Sequence, residues 1–230
     1  MSMIKRYTLV HATSDPTDGG FADRWRAATL REIEATPPDA RPTRVAHVVS
    51  RFGRVEPTFH GASIEWFAHA DTITANDAFL DSSDIESAVI IDDRFVVEER
   101  CVFGQEWFDD RWNAPAGTRS FILVGLLQKA DFLSRTQFRD YWWDQHRPLA
   151  NEMLPPETQP PAYFHNYVIP GQGTRWDGLG EFFDPGIERV KARTQWTQSP
   201  EAAPIIEDEK RFLNRETRQV IIGEFEVIVR

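Results

Sequence analysis

The sequence repeats one pattern of residues at a nearly constant spacing, and this repeat limits the folds that the chain can adopt. The matching pairs lie 116 to 119 positions apart, and they are Phe21 with Phe138, Trp25 with Trp142, His47 with His165, Glu65 with Glu181, and Gly104 with Gly223. In each half, periods typical of strands and helices follow the order β-α-β-β-α-β, which is the order of a ferredoxin-like unit. We therefore predict two fused ferredoxin-like repeats, at residues 1–110 and 118–230, with a linker near 109–117.

The duplication also predicts how the two halves are buried. A four-stranded sheet with helices on one face leaves its other face bare, and that face must be covered. Two such sheets in one polypeptide can cover each other, with both sets of helices outside. The predicted fold class is therefore α+β, in which two fused βαββαβ repeats form an α+β barrel.

Composition and motif spacing exclude several classes of function. The formal net charge of -10 argues against nucleic acid as a partner, because binding phosphates needs clustered Lys and Arg. No apolar run approaches the roughly 18 residues of a membrane span. The single cysteine, Cys101, cannot form an internal disulfide, and no signal-peptide pattern opens the chain, so we predict a cytoplasmic protein. The six histidines show no spacing typical of metal ligands, and we predict neither a metal site nor a cofactor.

One helix is predicted from Ser134 to Arg147. Ser134 is a good N-cap residue, and Gln137 stands three positions later, as a capping box requires. Pro148 disfavours helical backbone at the residue before it, so the helix is predicted to end at Arg147.

This helix carries an apolar face. At about 100° per residue, Trp142 and Gln145 lie within about 40° of Phe138. Tyr141 and His146 flank this stripe on either side. We therefore predict that the helix packs on the sheet with a titratable ring at the margin of the contact.

Trp143 lies about 140° from Phe138 and therefore off the packed face. An exposed tryptophan on a helix is typical of an interface anchor. We therefore predict that a homodimer can form through the outer helices.

The second half of the sequence resembles the EthD family of the dimeric α/β-barrel superfamily. The motifs that carry the resemblance are Phe138-x-x-Tyr-Trp-x-x-x-His146-x-Pro-Leu149, Trp176-Asp-Gly-Leu-Gly-Glu-Phe-Phe183, Ser199-Pro-Glu201, and Asp208-Glu-Lys-Arg-Phe-Leu213. The first half resembles a degenerate copy, in which Thr29 stands at the position of His146.

The resemblance implies a pocket between the sheet and the helices of a repeat. Relatives in the superfamily include cofactor-free cyclases, quinone-forming monooxygenases, isomerases, dehydratases and haem enzymes, so the resemblance constrains the fold more than the chemistry. Because the first half lacks the histidine, we expect the better-formed and more polar pocket in the second half.

His146 is the first catalytic candidate. An imidazole with a pKa near 6.5 can exchange protons at neutral pH. A histidine at a helix end can instead stabilise the negative end of the helix dipole. The resemblance slightly favours catalysis, and both roles stay open.

His165 and Tyr163 are the other catalytic candidates, because they share one face of a predicted strand with Tyr167. If this face meets the helix layer, the three side chains stand beside His146. If it faces the barrel interior, they are packing groups that need hydrogen-bond partners.

Five further residues are candidates for substrate binding. Phe138, Tyr141 and Trp142 are expected to line the pocket, and Asp177 and Glu181 carry carboxylates that can orient an imidazole. Asp177 can instead form an Asx turn, and Glu181 can face solvent.

These features favour cofactor-independent acid/base chemistry, of the lyase, dehydratase, isomerase or cyclase type. The expected partner is a small hydrophobic carbonyl compound, aromatic or polyketide-like, because such reactions need only a proton acceptor, a donor and a shaped cavity. A cofactor-free monooxygenase with the same pocket is one alternative. A non-catalytic binder of a small hydrophobic ligand is another, and such a protein would tolerate the loss of His146.

Overall fold

A computed structural model of the chain describes residues 4–13, 20–50, 58–82, 88–115 and 118–230. The strands are β1 Ile4–Ala12, β2 Arg44–Ser50, β3 Gly61–Phe67, β4 Val89–Phe103, β5 Ser120–Leu127, β6 Ala162–Val168, β7 Gly178–Asp184 and β8 Gln219–Val229. The helices are α1 Phe21–Ala35, α2 Ala70–Ser82, α3 Gln105–Trp112, α4 Arg135–Tyr141, a π-helical turn Trp142–His146, α5 Arg147–Met153, α6 Ile187–Trp196 and α7 Ala203–Glu209. Short 3-10 turns lie at Pro38–Ala40, Pro200–Ala202 and Arg215–Thr217.

The strands form a closed antiparallel barrel in the order β1-β3-β2-β8-β5-β7-β6-β4, so the predicted α+β barrel class is confirmed. The strands of the two halves follow the same relative order around the barrel, which is β4-β1-β3-β2 in the first half and β8-β5-β7-β6 in the second. The predicted linker is partly helical, because α3 extends to Trp112, and residues 116 and 117 lie outside the described part of the chain. None of the described helices is long and apolar enough to cross a bilayer.

Two compact units make up the chain. The first contains Met1–Glu99, Ile169–Thr174 and Ile222–Arg230, and the second contains Arg100–Val168 and Arg175–Ile221.

In the first unit, β1 is buried on both faces because helices cover one of them. Tyr7 points to one side of the strand, whereas Arg6 and Val10 point to the other. Arg6 donates a 2.7 Å hydrogen bond to Asn76 of α2, and Val10 packs in one apolar cluster with Trp25 of α1. The face with Arg6 and Val10 therefore meets the helix layer.

In the second unit, β6 is buried at every position. Its face with Tyr163, His165 and Tyr167 meets the helices, since the Trp142 ring stacks on His165. Of the two placements left open by the sequence, the helix layer is therefore the observed one.

A glycine on the neighbouring strand lets a tryptophan lie against the sheet in each unit. A Cβ atom added to Gly178 of β7 would stand 2.8 Å from the Trp142 ring, and one added to Gly61 of β3 would stand 2.8 Å from the Trp25 ring. Real Cβ contacts are essentially never that short, so only glycine permits these approaches.

The helix predicted from Ser134 starts as expected, but the prediction that it ends at Arg147 is wrong. Ser134 caps α4 through a complete capping box. A π-helical turn follows, in which the N–H of Arg147 donates to the carbonyl of Trp142 five residues earlier. The helix then continues to Met153, because Pro148 lies in the first turn of α5, where a proline is tolerated.

The π turn moves the residues after it by one position around the helix. Gln145 is exposed, although α-helical spacing predicted it on the apolar stripe, and His146 is buried instead. Trp143 is half-buried rather than exposed. The predicted full exposure of Trp143, which suggested a dimer interface, is therefore wrong, and the homodimer itself stays a prediction.

Candidate functional site

The centre of the second unit is a close stack of Trp142 on His165. The two ring centroids are 3.9 Å apart and the ring planes differ by 19°. His165 is completely buried. Phe138, Tyr167 and Phe212 pack in the same apolar cluster as Trp142, so the predicted pocket walls act here as core residues.

Both ring nitrogens of His165 have tyrosine partners. Nε2 lies 2.8 Å from the Tyr163 hydroxyl, and Nδ1 lies 3.1 Å from the Tyr167 hydroxyl. A neutral imidazole has one N–H and one acceptor nitrogen, so one hydroxyl accepts from the ring and the other donates to it. His165 therefore has the hydrogen-bond partners that a buried ring needs, although its face meets the helix layer and not the barrel interior.

Burial keeps this group of side chains uncharged. It lowers the pKa of His165 well below its usual value, and electrostatic interactions with the nearby side chains of His146, Arg147 and Arg100 lower it further. Burial also raises the pKa of Tyr163 far above its usual value. Tyr163 can therefore donate a hydrogen bond at neutral pH but cannot release its proton.

The first unit contains the same stack with a different partner. Trp25 lies 3.8 Å from His47 between ring centroids, and His47 Nε2 is 3.1 Å from the Thr29 hydroxyl. Burial lowers the pKa of His47 to about 3, with a further contribution from the charge of Arg26. A stack that recurs with neutral histidines in both units is most simply a packing feature of this fold.

His146 belongs to a separate hydrogen-bonded group at the edge of the helix layer. Its Nδ1 lies 2.8 Å from one carboxylate oxygen of Asp208 in α7. The hydroxyl of Tyr141 donates to the other oxygen of Asp208 over 2.6 Å. The ring of Phe212 packs on both aromatic partners, with centroids 4.8 Å from His146 and 5.4 Å from Tyr141.

The Asp208 contact sets the tautomer of His146. A carboxylate accepts hydrogen bonds, so Nδ1 carries the proton and Nε2 is left as an acceptor. Nε2 makes no hydrogen bond to any residue in the described part of the chain. Histidines that act as general bases are often oriented by a carboxylate in this way.

Asp208 is the site residue that sequence reasoning missed. It lies within a motif that carries the family resemblance, but no role was assigned to it. The signal that the sequence offers is its place as the first residue of the motif that runs from Asp208 to Leu213.

The structure does not bring Asp177 and Glu181 to His146. Asp177 accepts hydrogen bonds from the backbone N–H of Lys129 and from Arg135 Nε, so it fixes the entry to α4. Glu181 is completely buried, so the alternative that it faces solvent is wrong. Since neighbours along a strand alternate in direction, it points away from the face on which Gly180 contacts Trp142.

A cavity of about 40 Å³ lies in the first unit, between α1 and strands β1, β3 and β4. Its lining residues are Thr8, Val10, Trp25, Ala28, Thr29, Glu32, Ser63, Glu65, Ala88, Val89, Ile91 and Arg94. The lining is rich in polar side chains, although the sequence predicted the more polar pocket in the second half.

The residues around the Trp142 stack do not fit the haem that the resemblance attributes to some superfamily members. Both nitrogens of His165 are engaged by hydroxyls, and the Trp142 ring occupies the space above the imidazole.

Comparisons with known proteins agree with this architecture. No protein-family model matches the sequence, and no curated protein matches it. A mutant chlorite dismutase from Candidatus Nitrospira defluvii in complex with cyanide is similar in structure, with a TM-score of 0.54 and 10% identity over 98% of this chain and 91% of that chain. An anthrone oxidase-like protein has a TM-score of 0.60 and 7% identity over 99% of this chain and 92% of that chain. At such low identity the likeness establishes the fold alone, which is an α+β fold with an eight-stranded barrel.

Proposed function

We propose that this protein is a cofactor-independent acid/base enzyme in which His146 is the base. The substrate class is a small hydrophobic carbonyl compound, aromatic or polyketide-like. The observation that carries the proposal is the 2.8 Å contact between His146 Nδ1 and Asp208, which leaves Nε2 as the proton acceptor.

Each member of the group has a defined part in proton transfer. Nε2 takes the proton from a carbon next to the substrate carbonyl, and the electron pair of that C–H bond forms the enolate. The imidazolium is stabilised by Asp208, which is itself held by the Tyr141 hydroxyl. Burial, together with the hydrogen bond to Asp208, raises the pKa of Tyr141, so the phenol stays protonated and keeps donating.

A cofactor-free oxygenase is the second candidate, because an anthrone oxidase-like protein is similar in structure over nearly the whole chain. The first step is the same proton abstraction, after which the carbanion reduces molecular oxygen. Oxygen consumption separates the two functions, since an isomerase or lyase uses none. A non-catalytic binder would show neither activity.

The experiment compares His146→Gln and Asp208→Asn with the wild type on a panel of aryl ketones that includes anthrone. Exchange of the acidic C–H proton for deuterium, followed by NMR, measures proton abstraction directly. We expect His146→Gln to slow exchange by about 10² to 10⁴-fold, which is the usual contribution of a general base. Asp208→Asn should cause a similar loss, because an amide can donate to Nδ1 and reverse the tautomer.

Two exposed residues provide matched controls, His69→Gln and Asp144→Asn, and both should leave exchange unchanged. Wild-type exchange rates in His146→Gln would remove this residue from the mechanism. A loss in all four variants would indicate a general effect of mutation rather than a catalytic role.

We also propose that the chain is an EthD-type tandem repeat, with the domain limits predicted from the sequence. The recurrence of a tryptophan–histidine stack in both units supports this origin. The glycine beneath each tryptophan supports it further. Measuring the mass of the protein in solution tests the associated homodimer.

A further inference from the structure

The cavity of the first unit brings acidic, basic and hydroxyl groups together under α1. Glu32 and Thr29 reach it from the helix, Glu65 from β3 and Arg94 from β4. This site lies in a different unit from His146, so its chemistry does not depend on the function proposed above.

Most of the charges around the cavity are already paired. Arg6 donates from Nε to Glu65 over 2.6 Å and also forms an ion pair with Asp77 of α2. Ser63 is a further donor to Glu65, at 3.3 Å. Glu65 is therefore a buried carboxylate that is paired with Arg6.

Two groups on the cavity wall lack hydrogen-bond partners among the described residues. The carboxyl group of Glu32 makes no hydrogen bond or ion pair with a residue that the structure describes. Arg94 forms a 3.8 Å ion pair with Asp77 through Nη1, but its Nε is buried and has no hydrogen-bond partner in the described part of the chain. A buried N–H without a partner is unfavourable, and a ligand oxygen would satisfy it.

The environment of Glu32 brings the pKa of its carboxyl group close to neutral pH. Burial, followed by the negative charge of Glu65, raises the pKa of Glu32 to about 7, although Arg6 and Arg94 act in the opposite direction. A carboxyl group with this pKa is a stronger base than an exposed glutamate. It is also protonated in about half of the molecules at neutral pH, as a general acid/base requires.

We propose that this cavity is a second acid/base site, which binds the carbonyl end of a small molecule between Glu32 and Arg94. The unpaired N–H of Arg94 supplies a donor for the carbonyl oxygen. The unpaired carboxylate of Glu32 supplies an acceptor for a proton on the adjacent carbon.

The reaction that this arrangement supports is enolisation. Glu32 takes a proton from the carbon next to the carbonyl, so the C–H bond breaks and an O–H bond forms on Glu32. The electron pair forms a carbon–carbon double bond, and the negative charge moves to the carbonyl oxygen beside Arg94 Nε. Return of the proton restores the ketone, and no oxidant or reductant is needed.

The volume limits the size of the group that can enter. A cavity of about 40 Å³ accommodates about three water molecules. The ligand is therefore a small ketone, or the carbonyl end of a longer molecule whose remainder stays outside.

Acetone is a suitable probe because it has four non-hydrogen atoms and exchangeable α-protons. The experiment follows deuterium incorporation into acetone by NMR, with the full-length protein in D₂O buffer near neutral pH. Wild type should accelerate exchange above the buffer rate. Glu32→Gln should lower the protein-catalysed exchange rate by about 10²-fold or more, and Glu32→Asp should retain part of the wild-type rate.

Two control variants separate this site from general effects of substitution. Glu34→Gln changes an exposed acid on the same helix and should retain wild-type exchange. His69→Gln changes an exposed side chain that belongs to neither proposed site, and it should also retain wild-type exchange. Thermal unfolding confirms that each variant is folded.

Three results would overturn the proposal. They are a wild-type rate equal to that of buffer, full activity in folded Glu32→Gln, and an equal loss in Glu34→Gln. The proposed function of His146 fails by a different result, namely wild-type exchange of aryl ketones in His146→Gln.

Discussion

Replacing Glu32 by Gln should stabilise the protein at alkaline pH, even though it removes a charged residue from a helix. The pKa of Glu32 rises from 4.5 to about 7 on folding, mainly through burial and then through the charge of Glu65. Burial that opposes ionisation favours the unfolded state once the group is charged. The isosteric amide carries no charge and avoids this penalty.

The sign and the pH window follow from the two pKa values. Below pH 4.5 the group is protonated in both states and has no effect on stability. Between pH 4.5 and about 7 the wild type loses stability as pH rises, because the unfolded chain releases the proton first. Above that range the penalty is constant.

The magnitude can be estimated from the shift. One pKa unit corresponds to about 1.4 kcal/mol, so the full penalty is about 3 kcal/mol. Because Glu32 is only partly buried, solvent screening reduces the expected gain of Glu32→Gln to about 2 kcal/mol at pH 8. In urea this gain raises the unfolding midpoint by about 1 M.

The assay is urea unfolding of wild type, Glu32→Gln and the exposed control Glu34→Gln at pH 4.5, 6 and 8. The difference between Glu32→Gln and wild type should be near zero at the lowest pH and grow to its full value at the highest. The control should follow the wild type throughout. A Glu32→Gln variant that is less stable than wild type at pH 8, or a difference independent of pH, would refute the reasoning.

Two further pairs of substitutions test the packing on which the sites rest. Gly104→Ala should destabilise the protein by more than about 3 kcal/mol, because Gly104 has a φ of 81° and an added Cβ would stand 2.0 Å from the carbonyl oxygen of Pro161. Gly171→Ala is the control, since Gly171 has a φ of 87° but open space around it, and it should cost only about 1 kcal/mol. Equal losses of stability in urea unfolding would contradict this account. Trp142→Ala should destabilise the protein by about 3 to 5 kcal/mol, because the ring is buried against Gly178 and His165. Trp143 is half-buried, so Trp143→Ala should cost clearly less. The reverse order of melting temperatures would show that the stack is not a main packing element.

Helix boundaries show where local sequence rules succeed and where they fail. The capping box at Ser134 involves residues within one turn, so the start of α4 could be predicted from the sequence. The π turn at Trp142–His146 could not, because it depends on how the large rings pack against the sheet. That turn decides the positions of Gln145 and His146.

The members of the candidate sites were predictable only in part. His146 was recognised from its position in a motif, whereas its partner Asp208 lies 62 residues further along the chain. Glu32 resembles any other acid on an amphipathic helix until strands of the first unit bury it. Charge and protonation at a site depend on such distant neighbours, to which residue periodicity is insensitive.

The sequence by itself determined the order of strands and helices, the fold class and the aromatic positions that pack on the sheet. These properties follow from hydrophobic periodicity, which acts over short distances along the chain, and from the repeat, whose spacing is visible in the sequence without knowledge of any contact. Only the tertiary structure decided which polar groups became paired and which remained unpaired. The paired Glu65 and the unpaired Glu32 are both glutamates on the wall of one cavity. They differ because folding brings Arg6 within hydrogen-bond distance of Glu65 and leaves Glu32 without such a partner among the described residues.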